Sequence, residues 1–497
     1  MKRKIWILAA VFILIFAGCS ANRGEVQEEI ETYSKAVEHN AENDANYVLE
    51  TIIEQELTDN QYPPSNKEEL LEEELEIKED DMYPPTPLAL TNPQVRWLVE
   101  PKWDFNTVDS FIGGMSWAIA FGYVDNIRTT VYGYINNLGE IVIPFENPIG
   151  EMGTSAASPP GRFSEGLVVM QPRNDMNWGI TNTGVRGVFN TEGDLILSLE
   201  EYWWVSDFSG GTIRVWGDTE GDIDIEGNFV FKIPPEFDSV GRFHNGIAIA
   251  YKDGLAGFID IDSNIVIPFQ FDAVATFSER LAAVAIDNKM GFINEYGDLI
   301  IPLDFDVYFD GYWGDPILPR FRDGLVRVMQ GENWDEQKWG FINTQGEIIV
   351  PLIYDWVTEF WQERAIVHCR EIWGTGLIDI EGNIIVPIEE GMFMSWWISE
   401  GLVSISNNRG EYGFIDLDGN VVIPLIYWSV QPFSQGFAAV SHGSGWDNQK
   451  WGFIDVGGNV IVPIEFDEVR SFSEGLAWVR QGRWWGIIEI VKEQSND

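Results

Sequence analysis

The sequence predicts an all-β protein built from about ten copies of one short repeat, arranged as a propeller-like ring or a tightly curved array. Three observations predict this class: a glycine that recurs with a period of about 36 residues, an Asn or Asp that follows it at fixed distance, and a later Val/Ile-rich run. The content of 22 Trp, 30 Phe and 15 Tyr is typical of a chain that buries a core. An open β-solenoid is the alternative architecture.

The first element of each unit is a hairpin aligned on an anchor glycine. The anchors are Gly133, Gly187, Gly221, Gly257, Gly291, Gly340, Gly376, Gly413, Gly452 and Gly486. In the nine complete units Asn or Asp stands three residues after the anchor, and Gly stands six after it in all but one, where Ser263 replaces it. An Asx side chain that accepts a backbone N–H two residues on starts a tight turn, and the later Gly supplies the positive φ that closes it.

The Val/Ile run after this turn predicts a second strand. Proline follows eleven residues after the anchor in seven units, and we expect it to end the strand because it has no N–H for a ladder. The second half of each unit, as in residues 277–284 and 472–479, predicts one or two further strands. A unit with so few strands cannot bury both faces alone, so the units must stack on their neighbours.

The repeated strings resemble a known family. Residues 339–351 and 451–463 both begin Trp-Gly-Phe-Ile, and residues 472–477 read Phe-Ser-Glu-Gly-Leu-Ala. These strings resemble the WG (KWG-type) repeat of bacterial surface and secreted proteins, and the resemblance covers residues 95–491. Only Trp339, Trp451 and Trp485 keep the Trp before the anchor. The resemblance implies an architecture and no particular activity, since the family has no single established one.

The two ends of the repeat array favour a ring. The last unit stops at Ile490 without its final strand, whereas residues 97–101 near the start of the array look like that missing strand. A closed propeller buries its edges when an N-terminal strand completes the last unit.

Residues 1–18 predict a lipoprotein signal peptide. Residues 2–4 are basic, residues 5–17 are apolar, and residues 16–19 (Phe-Ala-Gly-Cys) resemble a bacterial lipobox. Lipid on Cys19 would hold the protein at the outer face of the cell membrane, or at the outer membrane of a diderm, and contact with membrane is expected through this anchor only. An ordinary signal peptide or an uncleaved anchor is the alternative.

Residues 19–94 predict an acidic helical stalk that ends in a Pro-rich linker at residues 83–87, or else a separate partner-binding module. The chain has 79 Asp and Glu against 31 Lys and Arg, for a net charge of −48. Such a field repels nucleic acid and anionic polymers and is more compatible with basic proteins or metal cations.

We expect no catalysis and no cofactor. The four His form no metal-ligand spacing, and carboxylate pairs are too frequent in this chain to indicate an active site. The Asx turns resemble fragments of calcium loops, but four of the nine begin with Asn and no distal Glu recurs, so turn formation explains them better. Cys369 lies in a strand-like segment and is expected to be a buried, inert thiol.

The best candidate binding residues lie where insertions interrupt the repeat. Residues 333–338 and 445–450 are near copies that each place a Trp-Asp pair on a long loop, and residues 308–314 form a similar aromatic insertion. The candidates are Trp334, Asp335, Trp446, Asp447, Tyr312 and Trp313. Exposed aromatic residues suit a glycan or a protein ligand, and the alternative is that they fold back beneath their loops. The predicted function is a lipid-anchored scaffold that binds a protein or glycan of the cell envelope. The alternative is an envelope hydrolase with a carboxylate pair on one face of the ring.

Overall fold

The computed structural model describes residues 85–124, 127–148, 161–170, 186–309, 316–331, 333–443, 445 and 448–491. These residues form 40 strands, and the predicted all-β class is confirmed. Ten small antiparallel sheets, here called blades 1 to 10 in chain order, make a propeller-like ring. The open solenoid is therefore excluded as the architecture. The predicted signal peptide, Cys19 and residues 20–84 of the predicted stalk lie outside the described residues, whereas Leu88 and Leu90 from its end pack against blade 10.

The first five blades follow one another along the chain. Blade 1 consists of β2 (Thr107–Val108), β3 (Met115–Val124), β4 (Ile127–Asn136) and β5 (Ile141–Pro148). Blade 2 consists of β6 (Leu167–Met170), β7 (Gly187–Asn190) and β8 (Leu195–Ser198). Blade 3 consists of β9 (Trp204–Val205), β10 (Ile213–Trp216), β11 (Gly221–Ile223) and β12 (Phe229–Lys232). Blade 4 consists of β13 (Ser239–Val240), β14 (Ile247–Lys252), β15 (Leu255–Asp260) and β16 (Ile265–Phe271). Blade 5 consists of β17 (Ala273–Val274), β18 (Leu281–Ile286), β19 (Lys289–Asn294) and β20 (Leu299–Asp306).

A small separate sheet, β21 (Tyr308–Phe309) with β22 (Pro316–Ile317), precedes the second half of the ring. Blade 6 consists of β23 (Leu325–Gln330), β24 (Lys338–Asn343) and β25 (Ile348–Tyr354). Blade 7 consists of β26 (Trp356–Val357), β27 (Arg364–Cys369), β28 (Gly374–Asp379) and β29 (Ile384–Val386). Blade 8 consists of β30 (Phe393–Ser399), β31 (Leu402–Ser406), β32 (Tyr412–Asp416) and β33 (Val421–Tyr427). Blade 9 consists of β34 (Ser429–Val430), β35 (Phe437–His442), β36 (Lys450–Asp455) and β37 (Val460–Phe466). Blade 10 consists of β38 (Glu468–Val469), β39 (Leu476–Gln481), β40 (Trp484–Ile490) and the N-terminal β1 (Val95–Trp103).

The hairpin predicted from the Asx and Gly positions is confirmed. In the turn between β15 and β16, Asp260 Oδ1 accepts hydrogen bonds from the backbone N–H groups of Asp262 (3.0 Å) and Asn264 (2.8 Å). The same two bonds form in all nine complete units. The residue six after the anchor has a positive φ in each unit, including Ser263 at 66°. These residues therefore build the fold.

The expectation that proline ends the following strand is wrong in most units. Pro268 lies inside β16, and Pro302, Pro351, Pro424 and Pro463 likewise lie inside their strands. The reason is the place of the strand in its blade. The last strand of each of these blades is an edge strand, so its outer side has no hydrogen-bonded neighbour in the sheet. The ladder is also irregular beside the proline, where the β15–β16 pairing passes from Ile267 to Phe271 through a register shift. Edge strands and bulges are where a sheet tolerates proline.

The Phe-Ser-Glu-Gly string and its variants link several blades to the next. Ser278 Oγ in blade 5 donates a hydrogen bond to Phe321 O at the start of blade 6 (2.6 Å). In the same way, Ser434 Oγ in blade 9 donates to Phe472 O in blade 10 (2.6 Å). The next residue, Glu279, accepts a hydrogen bond from the N–H of Gly324. Hydrophobic clusters fill the space between neighbouring blades, so the core is a series of interfaces between sheets.

The same contacts close the ring. Ser473 Oγ of blade 10 donates to Phe111 O of blade 1 (2.5 Å), and the Glu474 carboxylate accepts the N–H groups of Gly113 and Gly114 (both 2.7 Å). Strand β1 pairs antiparallel with β40, as the phase of the two ends predicts. The junction between blades 10 and 1 is thus made like the junctions between blades that are consecutive in sequence.

Within the described residues, no helix is long and apolar enough to cross a membrane.

Candidate functional site

A cavity of about 1070 Å³ lies where blades 6, 7 and 8 meet. Six tryptophans and several charged residues line it. The lining residues are Tyr308, Arg322, Arg327, Trp334, Asp355, Trp356, Thr358, Glu359, Trp361, His368, Arg370, Trp373, Trp396, Trp397 and Ile398. Eight tryptophans are strongly exposed in the part of the chain that the structure describes, and five of them belong to this one wall.

Trp334 reaches the cavity from the loop inserted between β23 and β24. Its side chain is 65% exposed, so it does not fold back beneath its loop. The guanidinium of Arg370 in blade 7 lies 5.0 Å from the Trp334 ring and donates to the Trp334 carbonyl (2.8 Å). Asp335 extends into solvent, with a carboxylate oxygen 3.7 Å from Arg370 Nη1. The insertion is therefore fixed to the neighbouring blade while its indole stays accessible.

Trp361 and Arg322 stand where a serine joins several of the other blades. Their backbone positions correspond to those of Ser278, Ser434 and Ser473, since each begins the same isolated bridge. Serine is also replaced at this bridge in blades 1 and 4, by Ile112 and His244. The guanidinium of Arg322 lies 5.0 Å from the Trp361 ring. Blades 6 and 7 thus exchange a structural hydroxyl for an arginine stacked on a tryptophan at the cavity wall.

Trp373 adopts an unfavourable backbone conformation. It lies in the turn between β27 and β28 with φ = 52°, and it is the only aromatic residue with a positive φ among the described residues. The shorter turns that join the same two strands in blades 4, 5 and 10 place Asp253, Asn288 and Gly482 at positive φ, types that tolerate this region. A bulky residue there costs about 1–3 kcal/mol, and such costs occur mainly at functional sites.

A bulge in the first strand of blade 8 exposes Trp396 and Trp397. In the other four-stranded blades the first strand is two residues long, whereas β30 is seven residues long. Its pairing with β31 jumps from Met394 to Ile398, and the residues between them leave the ladder. Trp397 is 71% exposed as a result. Bulges commonly redirect side chains beside binding sites.

Arg327 lies between aromatic rings at the inner wall. Its guanidinium is 5.5 Å from the ring of Trp339 and 5.3 Å from that of Trp356. It makes one long hydrogen bond, from Nη1 to Val357 O (3.4 Å), and its buried Nε has no hydrogen-bond partner among the described residues. Burial lowers the pKa of Arg327, and the nearby Glu359 carboxylate opposes this effect.

Asp355 is a structural acid within the wall. Its carboxylate accepts hydrogen bonds from Lys338 Nζ (2.8 Å), from Arg370 Nε (2.9 Å) and from the backbone N–H of Arg370 (2.7 Å). Burial alone would raise the pKa of Asp355, but these hydrogen bonds lower it below its usual value. Asp467 at the corresponding place accepts Lys450 and a backbone N–H in the same way. Burial lowers the pKa of the adjacent His368, an effect that Asp355 opposes and Arg370 reinforces.

Comparison with known proteins supports the repeat assignment. The sequence profile of the WG containing repeat matches residues 132–146, 223–255, 257–289, 339–367, 412–446 and 451–485. The chain carries WG repeats across much of its length. The cavity thus belongs to a WG-repeat propeller. The matched segment 339–367 covers strands of blades 6 and 7, and the segment 412–446 begins in blade 8 and continues into blade 9.

Solved structures resemble the WG-repeat propeller only loosely, and no curated protein sequence matches it. A eukaryotic initiation factor is 12% identical over 76% of this chain and 98% of its own, with a TM-score of 0.41. The computationally designed Ika8 protein is 13% identical over 58% of this chain and 95% of its own (TM-score 0.28). BamB from Moraxella catarrhalis is 10% identical over 62% of this chain and 87% of its own (TM-score 0.27). The fold therefore rests on the strand pairing described above.

Of the residues predicted from sequence, Trp334 lines the cavity, and the adjacent Asp335 extends into solvent near Arg370 without lining it. Trp446, Asp447, Tyr312 and Trp313 lie outside the described residues. Cys369 is buried in β27, as predicted. The described residues contain no group of three or more His, Cys, Asp or Glu arranged to hold a metal ion. The sequence analysis missed the five other tryptophans of the wall. Their signal was present as substitutions within the repeat, such as Trp361 at a serine position.

Proposed function

We propose that this WG-repeat propeller is a non-catalytic binding scaffold of the bacterial cell envelope, and that the cavity between blades 6 and 8 holds its ligand, a glycan or a protein. The observation that carries the proposal is the convergence of six tryptophans from three blades on one concave wall. Large, concave sites lined by aromatic groups with a few polar ones are characteristic of ligand binding.

The way the wall is built supports the same conclusion. A bulge displays Trp397, a strained turn displays Trp373, and Trp361 takes a position that serine occupies in several other blades. Each device departs from the repeat and makes the fold no more stable. Exposed apolar groups collected in one place are also costly in water unless a ligand covers them. Binding explains all three departures together.

The N-terminal residues support the cellular setting of the proposal. The basic segment, the short apolar run and the small residues before Cys19 fit export followed by lipid attachment. Attachment at Cys19 would leave the propeller on the outer face of the membrane, where envelope glycans and proteins are accessible to it. The stalk of residues 19–94 would separate the propeller from the lipid surface.

Catalysis by a hydrolase has less support at this site. A glycosidase needs a carboxylic acid whose raised pKa keeps it protonated, together with a second carboxylate. In the cavity the pKa of Asp355 is lowered, because that carboxylate already accepts bonds from Lys338 and Arg370. Binding without turnover is therefore the function that this geometry favours.

The proposal is tested by retention of envelope material on immobilised protein. Fluorescently labelled cell-wall polysaccharide and detergent-solubilised envelope proteins are applied to the parent chain and to a variant carrying Trp334→Ala and Trp397→Ala. We expect the amount of envelope material retained by the variant to be more than tenfold lower than that retained by the parent, because both indoles lie on the cavity wall.

The matched control is Trp203→Ala, which removes a tryptophan of similar exposure (62%) that does not line the cavity. The control should retain the ligand like the parent. Equal retention by the parent, the cavity variant and the control would show that the cavity is not the binding site.

A further inference from the structure

We infer that the ligand of this cavity is an acidic glycan, whose sugar rings stack on the exposed tryptophans and whose carboxylate or phosphate groups bind the guanidinium groups of Arg322 and Arg327. The inference rests on the proposed function and deepens it by naming the ligand class.

The first support is the charge of the wall. The whole chain has 79 acidic against 31 basic residues, yet three arginines and only two carboxylates line the cavity. One of those carboxylates, Asp355, is already bound to Lys338 and Arg370. The cavity therefore reverses the charge balance of the molecule, and a complementary ligand carries negative charge.

The second support is the state of the two arginines. Among the described residues neither Arg322 nor Arg327 forms an ion pair, although most of the other arginines that line or flank blade junctions do. Both guanidinium groups pack against indole rings, at 5.0 Å for Arg322 and 5.3 Å for Arg327. Stacking uses the face of a guanidinium, so the N–H edge of Arg322 stays available for paired hydrogen bonds to a carboxylate or phosphate. Arg327 already donates from Nη1 to Val357 O and its Nε is buried, so it contributes mainly positive charge to the wall.

The third support is the shape of the site. A protein partner would need a contact of about 800 Å² on each side, which is usually a broad surface. The tryptophans here line a single concavity of about 1070 Å³, a volume that matches a short oligosaccharide or another small ligand. Indole rings are flat, rigid and apolar, and the C–H face of a pyranose ring is complementary to them. These features favour a glycan over a protein surface.

The test uses an oligosaccharide array that pairs uronate-, sialate- and phosphate-bearing glycans with neutral sugars of the same length and linkage. The array is probed with the full chain, with a variant carrying Arg322→Gln and Arg327→Gln, and with the Trp334→Ala/Trp397→Ala variant. Arg280→Gln serves as the control, because it removes one exposed arginine of blade 5 that does not line the cavity. Thermal unfolding confirms that each variant is folded, and Arg322→Gln alone replaces the double variant if that protein is unstable.

We expect the parent to bind acidic glycans at least tenfold more tightly than their neutral counterparts. The arginine variant should bind acidic glycans more than tenfold less tightly than the parent does, while its weak binding of neutral sugars is unchanged. The Arg280→Gln control should behave like the parent. The uronate, sialate and phosphate arms then show which anion the arginines bind.

Three outcomes would contradict the inference. If neutral and acidic glycans bind equally and only the tryptophan variant loses them, the ligand is a glycan but its charge is irrelevant. If no glycan binds while an envelope protein is retained through Trp334 and Trp397, the ligand is a protein and the proposed scaffold function survives. If acidic glycans bind the arginine and tryptophan variants as well as the parent, the cavity is not the site and both proposals fail.

Discussion

Single side chains carry two different tasks in this ring, and the repeat distinguishes them. Asp260 and its counterparts serve the fold, because each accepts the same backbone bonds within its own turn. Asp355 also serves the fold, since Asp467 repeats its interactions in another blade. Trp373 has no such counterpart, and its conformation opposes stability. A residue that breaks the pattern at a structural cost is a better candidate for function than one that repeats.

Trp373→Asn is predicted to preserve or increase stability while weakening binding. Asn tolerates a positive φ, as Asn288 shows at the corresponding turn, so the substitution relieves strain of about 1–3 kcal/mol. Part of that gain is offset by the loss of ring contacts with His368 and Phe393. We expect the free energy of unfolding in urea to rise by up to about 1 kcal/mol, with weaker retention of the cavity ligand. A loss of stability greater than about 1 kcal/mol would show that Trp373 is a packing residue instead.

Elements defined by local interactions were predictable from sequence, and those defined by neighbours were not. The Asx turn depends on residues two and four positions away, and it forms as expected in every complete unit. The fate of Pro268 depends on whether β16 is an edge, which only the assembled blade determines. The bulge in β30 has no turn signal of its own, so Trp396 and Trp397 were not identified as site residues.

The links between blades provide a prediction at the same scale. Glu474 and Glu279 occupy equivalent positions, with φ values of 54° and 50°. Glu474 binds two N–H groups at 2.7 Å across the ring closure, whereas Glu279 binds one at 3.1–3.2 Å. Glu474→Ala should therefore lower the free energy of unfolding by about 1.5–3 kcal/mol, and Glu279→Ala by less than half as much.

Because both substitutions place Ala at the same backbone conformation, the difference between them isolates the closure bonds. Denaturant unfolding of the two variants measures it directly. Glu474→Gln should cost less than Glu474→Ala, since Gln435 makes the equivalent bond to Gly475 N (2.7 Å) at another junction. Equal losses for the two alanine variants would mean that the junction between blades 10 and 1 contributes no more than any other.

On the scale of the whole molecule, the packing of neighbouring blades makes the cavity possible. The lining residues belong to three consecutive blades, and the spacing between these blades brings Trp334, Trp361 and Trp397 to one wall. The sequence predicted closure, because the missing strand of the last unit is visible near the N-terminus. It predicted Trp334 because an insertion is visible too. It did not predict the cavity, because no local pattern shows which departures from the repeat face one another.

The net charge of −48 gives the last prediction, which concerns stability. Mutual repulsion of the carboxylates opposes the compact state, and salt screens that repulsion over a Debye length of about 8 Å at 0.15 M. Raising NaCl from about 0.02 M to about 0.3 M should therefore raise the Tm by several degrees, in contrast to proteins held together by surface ion pairs, which salt weakens. Differential scanning calorimetry at neutral pH measures the change. Because screening saturates with rising salt, a Tm that rises linearly up to molar NaCl would indicate a general salt effect. A flat or falling Tm would show that charge repulsion does not limit the stability of the protein. The same field repels anions from most of the surface, so an acidic ligand would meet favourable charge mainly where Arg322 and Arg327 line the cavity.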